Sequence, residues 1–224
     1  MSLVPVIAID GPTASGKGAL AERVAEALGW HYLDSGALYR LVALYANWQD
    51  CAESDDAGLA ALGRGLPARF DGGRVFLQDI DVTGEIRAPG VGDKASRIAV
   101  KPALRDALLS RQRNFRLPPG LVADGRDMAT VVFPDAALKV FLTAELRVRA
   151  GRRHKQLIEK GFSASLDELC REIALRDERD ANREVAPLVP APDATIIDSS
   201  EMTLDEVVAM VVEFAVDRRL VDSA

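Results

Sequence analysis

The feature that most constrains the fold is a glycine-rich segment near the N-terminus, placed directly after a short apolar run. Residues 3–9 (LVPVIAI) are almost all apolar and rich in β-branched side chains, which predicts a buried strand of a parallel sheet. Residues 11–18 read GPTASGKG, and residues 16–28 then repeat an apolar residue at every fourth position up to Gly29. A strand, a glycine-rich turn and a helix form the first half of a βα unit and predict an α/β fold.

The glycine-rich segment follows the pattern G-x-x-x-x-G-K, in which backbone N–H groups surround a phosphate. Its glycines allow the required backbone angles, the next helix adds its N-terminal dipole, and Lys17 adds a point charge. We therefore predict that the chain binds a nucleoside triphosphate; the alternative is a chance glycine-rich turn. The predicted ATP-binding residues are Gly11, Pro12, Thr13, Ala14, Ser15, Gly16, Lys17, Gly18 and Ala19.

The loop departs from the general pattern at the position after the lysine. That position normally carries Ser or Thr, whose hydroxyl contacts Mg²⁺, but here Gly18 and Ala19 follow Lys17. Neither side chain can bind a metal, so we expect Mg²⁺ to be held mainly by phosphate oxygens and water. Asp124, at the end of an apolar strand, or alternatively Asp10, can order such waters.

Strand and helix patterns alternate along the rest of the chain, which favours a parallel sheet. Further strands are predicted at 32–33, 121–123, 138–142 and 194–197, and further helices at 37–48, 96–115, 144–160, 166–183 and 204–220. Within 96–115, Pro102 marks a helix start or a kink. Between about residues 63 and 92, glycine is frequent, and short segments of alternating polar and apolar residues lie beside residues typical of turns. This texture predicts a small β-rich insert.

Composition limits the partners and the cellular setting that we expect. The net charge of −6 does not favour non-specific binding to nucleic acid. Two cysteines form no disulfide framework and no signal peptide is evident, so we expect a reduced cytoplasmic setting. No apolar run approaches the roughly 20 residues that span a bilayer, so no membrane partner is expected. No coiled-coil pattern is present, and we expect a monomer.

Arginines in the second half of the chain indicate the type of reaction. Eight arginines fall within residues 147–183, and Arg176, Asp180 and Arg183 share one face of the predicted helix. Such a face can place guanidinium groups on a transferring phosphoryl group. Acids such as Asp177 are interleaved, so a salt-bridged, solvated helix is the alternative. No Asn-Lys-x-Asp motif for guanine occurs, which argues against a GTPase.

Asp124-Gly125-Arg126-Asp127 places acids and a base on a turn directly after a strand. In open α/β sheets, ligands bind at this end of the strands, although a structural turn is the alternative. If the acceptor is a phosphate monoester, it is already largely ionised and needs no general base. The cationic groups therefore favour a phosphate over a sugar hydroxyl as acceptor.

Four ordered segments cover the chain nearly end to end: IDGPTASGKG, LDSGALYR, ADGRDMATVVFPDA and RDERDANREVAPLVPA. Together they resemble the bacterial cytidylate kinases. The resemblance implies transfer of the γ-phosphoryl group of ATP to CMP or dCMP with Mg²⁺, in pyrimidine nucleotide metabolism. It also implies a three-layer α/β/α P-loop core over residues 1–62 and 96–224. An arginine-bearing lid is implied at about 149–186 and an inserted CMP-binding subdomain at 63–95.

The resemblance also implies a role for individual residues. Those implied for the acceptor phosphate are Ser35, Arg40, Arg126 and Arg183; for cytosine, Ser96, Arg105 and Asp127; and for the sugar hydroxyls, Arg176 and Asp180. Arg152 and Arg153 belong to the lid, and the catalytic set is Lys17, Arg126, Arg176 and Arg183. A carboxylate such as that of Asp127 accepts a hydrogen bond from the amino group of cytosine and repels the carbonyl oxygen of uracil.

Two alternatives remain open from the sequence. The chain could be a P-loop kinase of another nucleotide or small phosphorylated acceptor, because the loop and lid alone do not name the acceptor. It could also be a non-catalytic nucleotide-binding regulator, which the missing hydroxyl at Gly18 and Ala19 suggests.

Overall fold

The computed structural model describes residues 3–159, 161 and 163–221 and alternates strands with helices. The strands are β1 (Val6–Asp10), β2 (His31–Asp34), β3 (Ala68–Asp71), β4 (Arg74–Leu77), β5 (Ile80–Asp81), β6 (Leu121–Gly125), β7 (Leu138–Thr143) and β8 (Thr195–Asp198). The helices are α1 (Lys17–Leu28), α2 (Ser35–Trp48), α3 (Asp56–Arg64), α4 (Pro89–Ile98), α5 (Pro102–Arg113), α6 (Leu146–Glu159), α7 (Leu166–Ala181) and α8 (Leu204–Asp217). The chain divides into a first compact unit, Met1–Leu33 with Phe115–Ala224, and a second, Asp34–Asn114.

The first unit is built on a five-stranded sheet in the order β2-β6-β1-β7-β8. The central strand β1 pairs in parallel with β6 and β7, and β7 pairs in parallel with β8. Every residue of β1 is buried, and successive side chains point to opposite faces, so both faces of the sheet are covered. On one face Ile7 and Ile9 pack with Val24 of α1 and Val211 of α8. The predicted α/β class with a parallel sheet is confirmed.

Local signals in the sequence predicted the ends of the first two helices. Gly29 adopts the left-handed conformation with φ 64° and ends α1, as expected. Asp34 caps α2, because its side chain accepts a hydrogen bond from the backbone N–H of Ala37 at 3.0 Å. The cap places Ser35 at the first position of α2, two residues earlier than the predicted start.

The second unit contains a three-stranded antiparallel sheet in the order β3-β4-β5. These strands lie within residues 63–95, so the predicted β-strand content of this segment is confirmed. The compact unit is larger than that segment, because α2, α3 and α5 belong to it as well. The assignment of residues 63–95 as a CMP-binding subdomain stays a prediction.

The helical stretch predicted over residues 96–115 is divided, and a new helix starts at Pro102, one of the two outcomes expected there. The structure has two helices there: α4 ends at Ile98, and α5 begins at Pro102. Lys101 is extended, with φ −77° and ψ 117°, because the residue before a proline is disfavoured in the helical region. The short helix α3 and the π-helical segment Met128–Val132 were not predicted.

The remaining predicted elements lie within a few residues of the observed ones. The last position of the predicted helix 144–160, Lys160, lies outside the described residues. No helix in the described part of the chain is both long enough and apolar enough to cross a membrane.

Candidate nucleotide-binding site

The glycine-rich loop connects the end of β1 to the start of α1 and passes close to β7. A Cβ atom at Gly11 would lie 2.1 Å from the carbonyl oxygen of Leu142, so the backbone leaves room only for glycine. Gly16 caps α1 in the left-handed region, with φ 94°. The predicted order of strand, loop and helix is therefore confirmed, and the loop leads into a helix N-terminus that favours an anion.

The remaining loop residues differ in exposure. Pro12, Ser15 and Lys17 are buried, Thr13, Ala14 and Gly18 are half-buried, and Ala19 is exposed. The hydroxyl of Ser15 is buried and has no hydrogen-bond partner among the described residues. Ala14 adopts φ 60°, a left-handed conformation that is uncommon for a residue with a side chain.

Lys17 is the buried cation of the loop. Its Nζ donates a hydrogen bond to the carbonyl oxygen of Pro12 at 3.1 Å. Burial, and after it the positive charge of Arg126, lower the pKa of Lys17 to about 7, while Asp124 acts in the opposite direction. Because burial makes the protonated amine unstable, an anion beside it would stabilise the charged form strongly.

Asp10 ends β1 and is engaged with the backbone. Its two carboxylate oxygens accept hydrogen bonds from the backbone N–H groups of Met128 and Ala129, at 2.9 and 2.8 Å. Burial raises the pKa of Asp10 to about 6 in spite of these two bonds. These two bonds tie Asp10 to the segment that follows Asp127, a buried residue, and leave each carboxylate oxygen one further lone pair.

Asp124 lies on β6 beside the start of α1. It is 5% exposed, and its Oδ1 accepts a hydrogen bond from the hydroxyl of Tyr32 at 2.8 Å. Both carboxylate oxygens would lie 4.0 Å from a Cβ atom at Gly18. Across the described residues, no group of three or more His, Cys, Asp or Glu side chains could hold a metal. Of the two candidate acids, Asp124 is the better placed to order waters near the loop.

An arginine cluster surrounds the buried carboxylate of Asp180 on α7. Arg126 donates from Nε to Asp180 Oδ2 at 2.7 Å, and Arg183 pairs with Oδ1. Burial would raise the pKa of Asp180, but Arg126 and Arg183, together with Arg176, hold it below its usual value. This face of α7 is therefore buried against the loop after β6, and the alternative of a fully solvated helix does not describe it.

Thr13 of the glycine-rich loop contacts both helices of the predicted lid. Its backbone N–H donates to Asp177 Oδ1 of α7 at 2.9 Å, and its carbonyl oxygen accepts from Arg149 of α6 at 2.9 Å. Asp177 and Arg149 also form an ion pair with each other. The Thr13 hydroxyl oxygen lies 3.2 Å from an Arg126 nitrogen that donates to it. One loop residue thus joins α6, α7 and the turn after β6.

Arg152 connects α6 to the loop at a second point. It donates to the carbonyl oxygen of Ser15 at 2.9 Å and to the carbonyl oxygen of Ser199 at 2.6 Å. Arg153 follows it on α6 and is half-buried. Two residues of the predicted lid range, Lys160 and Phe162, lie outside the described residues.

The second unit holds the other four residues implied for CMP. Ser35 opens α2 and is buried, Arg40 lies further along α2 and is half-buried, and Ser96 is buried on α4. Arg105 on α5 is buried, and its guanidinium carbon lies 6.0 Å from the centroid of the Tyr39 ring on α2. Within this unit the arginine implied for cytosine therefore lies close to the helix that Ser35 begins.

Sequence reasoning missed three residues that build this site: Arg149, Asp177 and Tyr32. Arg149 lies three positions before Arg152, so helical spacing alone could have identified it. Asp177 was considered only as an interleaved surface acid, yet its side chain is 20% exposed and contacts the loop. Nothing in the sequence near Tyr32 indicates that its hydroxyl reaches Asp124.

Comparison with known proteins identifies the family of the chain. The cytidylate kinase family model matches residues 7–217. A cytidylate kinase of Bordetella bronchiseptica is 59% identical over 210 residues, covering 94% of each chain. One of Cupriavidus necator is 55% identical over 214 residues, covering 96% of each chain. These matches confirm the resemblance stated from the sequence, and the chain belongs to the cytidylate kinase family.

Proposed function

We propose that the chain is a kinase that transfers the γ-phosphoryl group of ATP to CMP or dCMP, giving CDP or dCDP. One observation carries the proposal: Lys17 of the glycine-rich loop lies in the electrostatic field of Arg126 and Arg176, which lower its pKa. The donor-side cation, Lys17, and the acceptor-side cations, Arg126 and Arg176, therefore interact electrostatically. Membership of the cytidylate kinase family then names the acceptor.

On the donor side, the loop residues 11–19 would bind the phosphates of ATP. The tight passage at Gly11 and the left-handed cap at Gly16 turn the loop so that α1 begins at Lys17. A phosphate beside Lys17 would add negative charge next to this buried amine and would restore its protonated form. Lys17 is accordingly assigned to the transferring phosphoryl group and its bridging oxygens.

On the acceptor side, the reaction needs no general base, because a phosphate monoester is largely ionised near neutral pH. The protein has to align two anions, reduce their repulsion and stabilise the charge of the transition state. We assign these tasks to Arg126, Arg176 and Arg183. Asp180 fixes Arg126 and Arg183 through its two oxygens, so the planar guanidinium groups are oriented before the substrate arrives.

Selection of cytosine is assigned to Asp127, Ser96 and Arg105. Asp127 is 5% exposed, and a buried carboxylate discriminates strongly between a donor and an acceptor on the base. Ser35 and Arg40 are assigned to the acceptor phosphate. The sugar hydroxyls are assigned to Arg176 and Asp180, whose carboxylate already accepts from two arginines.

The donor set near the loop suits Mg²⁺, which prefers oxygen ligands and keeps several waters. Asp124 is a buried carboxylate beside the first turn of α1, and it would hold Mg²⁺ through water while phosphate oxygens bind it directly. When bound, the ion would neutralise charge on the donor phosphates. Asp10, whose oxygens each accept one backbone hydrogen bond, is the alternative acid for such waters.

The proposal extends to the domain organisation and the cellular setting. We propose that residues 63–95 form the CMP-binding subdomain and that α6 and α7 belong to a lid containing Arg152 and Arg153. We further propose a monomeric enzyme of pyrimidine nucleotide metabolism in the cytoplasm, with ATP and CMP or dCMP as its partners.

An acceptor panel tests the activity. ADP release from ATP would be measured in a coupled assay with CMP, dCMP, UMP, AMP and shikimate. We expect turnover with CMP and dCMP and at least tenfold lower kcat/KM with the others. A protein that turns over another acceptor but not CMP would refute the proposal in favour of a different P-loop kinase. Binding of ATP without any transfer would refute it in favour of a regulator.

The variant Asp127→Asn tests the assignment of the base. We expect the ratio of kcat/KM for CMP to that for UMP to fall about tenfold or more, because a carboxylate worth ~1–3 kcal/mol of discrimination is lost. Asp193→Asn is the matched control, since Asp193 is exposed and bonds to Lys139. An unchanged ratio in Asp127→Asn would remove Asp127 from the base-binding set.

A further inference from the structure

The loop lacks a hydroxyl at the position where most loops of this pattern provide one for Mg²⁺. Gly18 follows Lys17, and Ala19, the next residue, is exposed. In loops with Ser or Thr after the lysine, that hydroxyl contacts the metal. An oxygen that serves the metal in place of this hydroxyl has to reach the space beside Gly18 from another element.

The space beside Gly18 is bordered by three oxygen atoms. A Cβ atom built on Gly18 would lie 3.7 Å from the hydroxyl oxygen of Tyr32 and 4.0 Å from each carboxylate oxygen of Asp124. The side-chain oxygen of a serine at this position would extend one bond beyond that Cβ atom. The Tyr32 hydroxyl therefore lies next to the space that a serine side chain would enter.

The position of Tyr32 is fixed by its strand, by the packing of its side chain and by a hydrogen bond of its hydroxyl. It lies on β2, which is the neighbour of β6 in the sheet, and its hydroxyl donates to Asp124 Oδ1 at 2.8 Å. The tyrosine itself packs against the apolar core cluster that includes Leu20 and Val24 of α1. A hydroxyl at the end of a packed ring is positioned at a low conformational cost, because only two side-chain angles are involved.

We infer that the Tyr32 hydroxyl replaces the missing loop hydroxyl in binding the metal–nucleotide complex. Tyr32 is a positioning residue in this reaction. Its O–H fixes the Asp124 carboxylate, and the remaining lone pairs of its oxygen can accept a hydrogen bond from a water on the metal. The inference rests on the proposed function only in that a divalent cation accompanies the nucleotide, and it does not depend on the acceptor.

The competing interpretation is purely structural: the bond between Tyr32 and Asp124 joins β2 to β6 and does nothing more. The two interpretations differ in how binding depends on the metal. A structural role would change the affinities for ADP with and without metal to the same extent. A role toward the metal would change only the affinity for the Mg²⁺ complex.

The test measures dissociation constants of ADP by calorimetry, once with excess EDTA and once with excess Mg²⁺, for the full chain. In Tyr32→Phe we expect the Mg²⁺·ADP constant to rise about 3- to 10-fold, as for one lost hydrogen bond, and the constant with EDTA to change less than about twofold. Tyr45→Phe is the matched control, because the Tyr45 hydroxyl accepts a single bond from Gln78 in the second unit. Equal changes under both conditions, or no change, would overturn the inference.

A second variant tests the inference from the side of the loop. Gly18→Ser has room for its Cβ atom at ordinary contact distances. In the Tyr32→Phe background we expect it to recover most of the lost Mg²⁺·ADP affinity. No recovery in the double variant would overturn the inference. Because CMP is absent from these measurements, a failure of the proposed acceptor remains distinguishable.

Discussion

Binding of a nucleotide should draw a proton onto Lys17, and the size of this uptake follows from the burial of its amine. The pKa of Lys17 in the nucleotide-free protein is lowered to about 7 by burial and by the neighbouring Arg126 and Arg176. A phosphate beside the amine favours the charged form and raises the pKa again. The amine is then partly neutral before binding and fully protonated afterwards.

The uptake can be calculated for each pH. With a pKa of about 7, the neutral fraction of Lys17 is roughly 0.1 at pH 6, 0.5 at pH 7 and 0.9 at pH 8, and each bound ADP should take up that many protons. The same linkage should weaken ADP binding about fivefold between pH 7 and pH 8. An ordinary lysine, with a pKa near 10.4, would give neither effect in this range.

Calorimetry provides the assay. The enthalpy of Mg²⁺·ADP binding is measured in buffers of different ionisation enthalpy, and the slope gives the number of protons taken up. Lys17→Arg is the control variant, because arginine stays protonated throughout this range and the contributions of nucleotide and buffer are unchanged. The difference between the two proteins should rise from about 0.1 to about 0.9 protons between pH 6 and pH 8. A difference that stays near zero at every pH would refute the reasoning.

Three further predictions concern stability. Asp177→Ala leaves its partner Arg149, which is 9% exposed, without a counter-ion and should lower the free energy of unfolding by about 2–3 kcal/mol, measured by urea titration; a loss below the scatter of the titration would contradict it. Gly120→Ala puts a Cβ atom 2.3 Å from the Trp30 ring and should reduce the melting temperature by several degrees or prevent folding, whereas an unchanged melting temperature would argue against this packing. Burial raises the pKa of Asp10 from 3.8 to about 6, so the stability given by its protonated form is complete below pH 4 and is lost as pH rises through 6. The difference in unfolding free energy between wild type and Asp10→Asn should therefore change by about 2.4 kcal/mol from pH 4 to pH 7, and parallel curves would exclude it.

Much of the fold could be predicted because its signals are local. The apolar run before Gly11, the glycine spacing and the helical repeat that follows need only about 25 neighbouring residues to be recognised. The sequence left the outcome open where two local signals competed. Pro102 was considered as a helix start or as a kink, and the preference of a residue before proline for extended backbone decided for a new helix.

The candidate site could be predicted in part for the same reason. Lys17, Arg126 and Asp180 lie in motifs whose residue types and spacing indicate phosphate chemistry. The contacts among them could not be predicted, since Arg126 and Asp180 are 54 positions apart and meet through the packing of α7 on the loop after β6. Asp177 looked like a surface acid because helical spacing does not reveal which face another element covers.

The sequence by itself determined the glycine-rich loop, the parallel α/β class and the family, because each rests on residue types at fixed, short spacings. Only the tertiary structure decided which side chains complete the loop. Thr13 and Asp177 are separated by 164 positions, and Tyr32 and Asp124 by 92. Such pairs depend on strand order and on burial, which decide whether a carboxylate or a hydroxyl finds a partner in the interior or stays in water. The apparent lack of a hydroxyl after Lys17 was therefore a property of the local sequence, while the oxygens beside Gly18 come from β2 and β6.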